Sequence, residues 1–150
     1  MTDNRVEALV HFFETLTPQG LAELPRFYAA GCRFRDPFND VRGIEALEGV
    51  FRHMFEVLDA PCFIVRERMY DAPRMLLTWD FEFRYRRWRP HITQHIHGAS
   101  LLTLDETGRV AEHRDYWDAA EEVYEKLPGI GILMRWLKRQ GRPQAPRNAI

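Results

Sequence analysis

From Met75 to Trp88 the chain alternates residue by residue. Leu77, Trp79, Phe81, Phe83 and Tyr85 fall on one side, and Asp80, Glu82, Arg84 and Arg86 on the other. Successive side chains of a strand point to opposite faces, so this stretch reads as a long strand with one buried and one wetter face. The same period continues on both sides of it. Phe63 to Tyr70 reads as a strand, joined through the turn Asp71-Ala72-Pro73. After the break at Arg89-Pro90, Ile92 to Leu104 reads as another long strand. Asp105-Glu106-Thr107-Gly108 then makes a hairpin turn into a last strand, Arg109 to Trp117.

Ahead of Ala60-Pro61 the period is helical. Asp3 or Asn4 can cap a first helix, on which Val6, Leu9, Val10, Phe13 and Leu16 recur at helical spacing. Thr17-Pro18 stops it and opens a second helix with Leu21, Leu24, Phe27 and Tyr28 on one face, ended by Gly31. Cys32 to Phe38 reads as a short strand, and Asn39 to Gly43 as a turn. A third helix carries Leu47, Val50, Phe51, Met54, Phe55 and Leu58, and Ala60-Pro61 breaks it. Helices followed by an antiparallel meander give an α+β domain, with a curved sheet around the helices and a pocket inside.

The chain of 150 residues fits one domain. We expect residues 1–140 to form it, with a helical C-terminal extension, and residues 141–150 to be a disordered Pro- and Arg-rich tail. At 45% hydrophobic and 13% aromatic, the composition supports a sizeable core or an aromatic-lined cavity. A net charge of −1 offers no global field to nucleic acid or acidic membranes. The N-terminus lacks the basic and apolar regions of a signal peptide, and no apolar run is long enough to span a bilayer. The expected compartment is therefore the cytoplasm. Cys32 and Cys62 match no metal or redox spacing and are expected to be small buried hydrophobes at the starts of strands.

Asp36 stands out in Phe34-Arg35-Asp36-Pro37-Phe38, an acid among aromatic and apolar residues just before a proline. Desolvation there would favour its neutral form and suit it to moving protons. The plainer reading is a turn, since Asp before Pro commonly starts one.

The order of elements resembles the nuclear transport factor 2-like superfamily, in its ketosteroid isomerase and SnoaL-like branch. The residues carrying the likeness are Tyr28-Ala29-Ala30, Phe34 to Phe38 and Gly43, then Leu102-Thr103-Leu104-Asp105, Gly108-Arg109-Val110 and Asp115-Tyr116-Trp117. The resemblance implies a cone-shaped pocket between sheet and helices. It makes Asp36 the counterpart of the isomerases' general base, Trp117 an aromatic pocket wall and Tyr28 a tyrosine near the pocket. It also implies a difference. The isomerases hold the developing enolate with a tyrosine of the first helix and a protonated aspartate of a later strand. The corresponding positions are Phe12 and Ser100. Phe12 has no donor and Ser100 a weaker one, so steroid isomerisation by that route is not expected.

By the period of two, His113, Asp115 and Trp117 share one face of the last strand. If Trp117 faces the pocket, an imidazole and a second carboxylate join it. That set suits proton transfer, dehydration, aldol-type cyclisation or water addition. The plainer reading has His113 and Asp115 in a structural network with arginines such as Arg114 or Arg109. His91, His95 and His97 fall opposite Ser100 and form no complete ligand set, so no metal is expected. The basic run Arg84 to Arg89 splits between faces, with Asp80, Glu82, Glu112 and Asp115 as candidate ion-pair partners, and does not read as a nucleic-acid site. Ile130 to Arg139 is apolar with a basic end and reads as docking on its own domain or a partner subunit, in preference to a membrane surface.

The expectation is a cofactor-independent acid/base enzyme for a small apolar carbonyl or hydroxyl compound, paired as a homodimer through the outer sheet face. Asp36 is the base, and His113 and Asp115 assist. Ser100 is a donor to substrate, and Phe12, Tyr28, Phe51 and Trp117 line the pocket. The alternative is a non-catalytic binding module using the same cavity. An enzyme of this kind should bring Asp36 and His113 to within a hydrogen bond or one water of a common point. Divergent side chains or a collapsed cavity would count against it.

Overall fold

The computed structural model describes residues 2–119, together with Ile132, Trp136, Arg139 and Gln140. The chain divides into two compact units, Met1–Trp117 and Asp118–Ile150. In the second unit, Ala119 and the four later residues are helical, and Ile132 and Trp136 are exposed. The expected tail lies outside the described residues, as does nearly all of the expected helical extension.

The first unit is an α+β cone. Its elements run α1 (Thr2–Glu14), a 3-10 helix (Gln19–Glu23), α2 (Leu24–Phe27), β1 (Tyr28–Arg35), β2 (Asp40–Arg42) and α3 (Ile44–Val57). β3 (Leu58–Asp71), β4 (Arg74–Tyr85), β5 (Gln94–Leu104) and β6 (Val110–Trp117) follow. The six strands form one sheet in the order β2-β1-β6-β5-β4-β3. β3 to β6 are the antiparallel meander, but the sheet as a whole is mixed, because β1 pairs with β6 in parallel.

The helices pack their apolar sides on the inner face. Val6, Leu9, Val10, Phe12 and Phe13 of α1 are buried, as are Leu47 and Phe51 of α3. On the sheet, Met75, Leu77, Trp79, Phe81 and Phe83 of β4 are buried as the alternation requires. Two polar ties fix α1 against β3: Glu14 accepts from the Val65 amide at 2.9 Å, and Arg68 pairs with Glu7. Gly43 enters α3 at φ 87, a conformation that disfavours a side chain, and its amide donates to Cys32 O at 2.8 Å.

Several boundaries differ from the sequence reading. Gly31 and Cys32 lie inside β1, which starts at Tyr28, where the second helix was expected to continue. Parallel pairing of Tyr28 with Val110 captures this segment, and α2 ends at Phe27. Asp40–Arg42, expected as a turn, pairs with Arg33 to Arg35 as a short edge strand. Ala60-Pro61 does not separate helix from strand. α3 ends at Val57, and β3 runs on through a register shift between Asp59 and Cys62, with Ala60 at φ 51. Cys32 is buried, but Cys62 is exposed on β3. Among the described residues no helix is long and apolar enough to cross a membrane.

Candidate active site

Strand register assembles the inner face. On β6, His113 is buried and Asp115 mostly so, while Glu112, Arg114 and Tyr116 are exposed on the other side. Ser100 of β5 stands directly opposite Asp115, and Leu102 opposite His113. Leu77 of β4 stands opposite Ser100, and Trp79 opposite Gly98. Phe34 of β1 stands beside His113. Directly opposed residues bring their Cβ atoms within about 5 Å, close enough for short polar side chains to bond.

These neighbours form one hydrogen-bonded chain. Trp79 Nε1 donates to Ser100 Oγ at 2.8 Å, and Ser100 donates to Asp115 Oδ1. His113 Nε2 lies 2.6 Å from the same oxygen, and His113 Nδ1 lies 2.7 Å from the Tyr28 hydroxyl. With Asp115 ionised, Nε2 must carry a proton, and a neutral imidazole then accepts the Tyr28 proton at Nδ1. Burial raises the Tyr28 phenol well above its ordinary value, and the nearby charge of Asp115 adds to this. Tyr28 is thus a neutral donor at physiological pH. The imidazole is held edge-on by Phe34 at 4.8 Å and lies near-parallel to the Tyr28 ring at 6.0 Å.

Gly98 makes room for this chain. A Cβ built there would stand 2.5 Å from Trp79 Cη2, so only glycine lets the indole lie across β5 and reach Ser100. Asp115 Oδ1 accepts both bonds, and among the described residues Oδ2 makes none.

Asp115, His113 and Ser100 border a cavity of about 20 Å³ walled by Phe13, Phe51, Phe63, Val65, Leu77 and Trp79. That is room for about one water molecule. The arrangement offers a carboxylate oxygen to an apolar space, held by a histidine and a serine. It can take a proton from, or hydrogen-bond, a small group placed there.

Not every candidate residue joins it. Asp36 does not line this cavity. Its Oδ1 accepts from the Phe38 amide at 2.7 Å, the Asn39 amide at 2.6 Å and the Asn39 side chain at 3.0 Å. Strand β1 ends at Arg35 and Pro37 bends the chain, so the carboxylate closes an Asx-type turn. Phe12 stacks on Phe27 with centroids 4.5 Å apart, and its neighbour Phe13 faces the cavity. Phe51 lines this cavity. Tyr28 sits behind His113, and Ser100 spends its proton on Asp115 where a bond to substrate was expected. Trp117 lies further along β6, edge-on to Phe38 at 5.5 Å, and does not wall the cavity. Among the described residues His113 and Asp115 pair with each other, not with arginines. Arg114 lies 4.9 Å from the Tyr116 ring centroid.

Trp79, Phe13 and Gly98 were not singled out as site residues. Trp79 was visible on the apolar side of β4 and Phe13 on the apolar stripe of α1. Gly98 carried no signal, because its role depends on which residue lies across from it. On the outer face His97 pairs with Asp80 at 2.7 Å and His95 with Glu82 at 3.4 Å. Arg84 and Arg86 of the basic run pair with Asp59, a partner the sequence did not suggest. Among the described residues, no group of three or more His, Cys, Asp or Glu side chains is placed to hold a metal ion.

The fold is shared with solved structures. A hypothetical protein from Catenulispora acidiphila with a ketosteroid isomerase-like fold, solved in complex with trimethylamine, is 13% identical over 79% of this chain and 88% of that one, with a TM-score of 0.67. An NTF2-like protein of unknown function from Burkholderia pseudomallei is 14% identical over 80% and 92%, with a TM-score of 0.68. TerC, co-crystallised with polyporic acid, is 14% identical over 80% and 93%, with a TM-score of 0.65. At these identities the likeness speaks for the fold alone. No curated protein is matched by the sequence. Residues 9–113, well over half of the chain, match the SnoaL-like domain, and the chain belongs to that family.

Proposed function

We propose that the chain is a cofactor-independent acid/base enzyme for a small, largely apolar carbonyl or hydroxyl compound. Its proton-moving centre is the Asp115–His113 pair. Asp36, the base expected from the sequence, is set aside because its carboxylate is committed to a turn. The observation that carries the reading is the buried chain from Trp79 through Ser100, Asp115 and His113 to Tyr28, whose Ser100, Asp115 and His113 border an apolar-walled cavity. Asp115 Oδ2 takes a proton from an activated carbon or a hydroxyl. The Nε2 proton of His113 and the Ser100 hydroxyl steady the charge on Oδ1. Tyr28 fixes the imidazole tautomer through Nδ1.

A second reading is a small-ligand binding module without catalysis. What favours it is the cavity size, since a volume of about 20 Å³ admits no organic substrate until Phe13, Phe51 or Phe63 moves. Trimethylamine and polyporic acid, bound by proteins of this fold, support small-ligand binding under either reading. We further propose that the outer face of the sheet, the side of His95 and His97, pairs two copies of the chain. A dimer by light scattering would bear that out, and a monomer would overturn it.

The test for the site is a thermal-shift screen of enones, ketones, alcohols and phenols on wild type and Asp115→Asn. Binding raises the melting temperature by linkage. A compound that both proteins bind and only the wild type converts supports the enzyme. A compound bound by both and converted by neither supports the binding module.

A further inference from the structure

A second, larger cavity of about 610 Å³ lies at the far end of β6 from Trp117. Arg5, Arg26 and Arg109 line it, from α1, α2 and the turn just before β6, over an apolar floor that includes Leu9, Phe27 and Met75. Among the described residues no carboxylate lines it. We propose that this groove binds small amphipathic oxyanions, with a carboxylate or phosphate head on the arginines and a short apolar body on the floor.

Each arginine is placed for that role. Arg5 Nη1 donates to Thr107 O at 2.6 Å. It lies against Gly108, where a Cβ would stand 1.6 Å from that nitrogen. Gly108 turns the hairpin at φ 80, so the turn both requires a glycine and leaves the space that the guanidinium fills. One N–H is committed and the rest of the planar fork is left for a ligand. Arg26 has Glu23 as its carboxylate partner, at 3.6 Å and on the surface, and its guanidinium lies 5.5 Å from the Phe27 ring centroid. Among the described residues the Arg109 side chain makes no hydrogen bond or ion pair, and Asp105 is the acid that feels its charge. Three arginines line one groove that no carboxylate lines among the described residues, and an anionic head there would meet their charge.

This groove is separate from the Asp115 cavity. Along β6, Arg109 and Asp115 are roughly 20 Å apart at the usual strand rise. Their occupants are therefore independent, and this proposal does not rest on the acid/base reading.

The test is calorimetric titration of the whole chain with hexanoate, hexyl phosphate and hexanol at low salt. At least one of the two anions should bind and hexanol should not, and the tighter anion identifies the head group. Added salt should weaken binding, because exposed arginines are screened. Arg26→Gln combined with Arg109→Gln should weaken the anion at least about tenfold, and Asp115→Asn should change it less than about twofold. A thermal melt checks that the double variant folds. If it does not, Arg109→Gln alone should still weaken binding about threefold. Hexanol binding as tightly as the anions would overturn the proposal. So would no anion binding up to about 10 mM, unchanged binding in the arginine variants, or loss of binding in Asp115→Asn.

Discussion

Two histidine–aspartate pairs stand on opposite faces of one sheet. His113 and Asp115 meet at 2.6 Å on the inner face, and His97 and Asp80 at 2.7 Å on the outer. The inner side chains are 5% and 15% exposed, the outer ones 68% and 29%. Contact length is nearly the same, so the surroundings set the difference. Outside, water solvates His97, and Arg66 shares Asp80. Inside, among the described residues no lysine or arginine pairs with Asp115, and Ser100 and Tyr28 bond the pair among aromatic rings. A polar pair out of water must be fully bonded, and losing one member leaves the other stranded.

The largest expected effect follows from that. His113→Ala should cost about 3–5 kcal/mol in urea unfolding, because it strands Asp115 and the Tyr28 hydroxyl. His97→Ala should move the midpoint little, because water replaces what is lost. Equal losses would break the comparison. Gly98→Ala should follow at about 1–3 kcal/mol, since the new methyl must displace the Trp79 indole. Near-UV circular dichroism should change with it. An unchanged tryptophan signal would show that the indole is not held as described.

The sharing of faces was legible in the sequence through parity, whereas which face turns inward rested on the family likeness at Trp117. Odd positions of β6 point inward from His113, and odd positions of β5 point outward at His95 and His97. Parity does not give register, and register put Ser100 opposite Asp115. That is why Ser100 was expected to bond a substrate when it holds the carboxylate. β4 was readable because its alternation is unbroken. β1 was misplaced because Tyr28-Ala29-Ala30 prolongs a helical spacing locally, while its strand conformation comes from pairing with the distant β6. Asp36 depended on a single local fact, whether the strand outlasts Arg35. It does not, and the carboxylate turns to backbone amides. The family likeness placed Phe12 where the helix phase places Phe13.

Asp36 sharpens the comparison from a third position, since it too is fully bonded, but by a turn. Asp36→Ala should cost about 1 kcal/mol through loss of those bonds, and Asp36→Asn less, because an amide oxygen can still accept. Neither should alter ligand binding or turnover at the Asp115 cavity. A collapse of turnover in Asp36→Asn at unchanged stability would restore Asp36 as the base and displace Asp115 from that role.

The smallest expected effect is the acid response of the outer pair. The hydrogen bond from His97, and then that from Arg66, hold the Asp80 carboxyl below its ordinary value. An acid with a lowered folded pKa contributes stability that is complete above its unfolded value of about 3.9. That contribution fades as pH falls through the folded value. The melting temperature of the wild type should therefore exceed that of Asp80→Asn near neutral pH, and the two should converge below about pH 4. Asp59 and Asp40, lowered chiefly by bonds from Arg84 and Arg33, lose their own contributions in the same window, so both curves fall in acid while the gap between them closes. Curves that stay parallel into acid would mean that the outer pair adds nothing, although its contact is as short as the inner one. The distinction between the two faces would then be sharper than burial alone predicts.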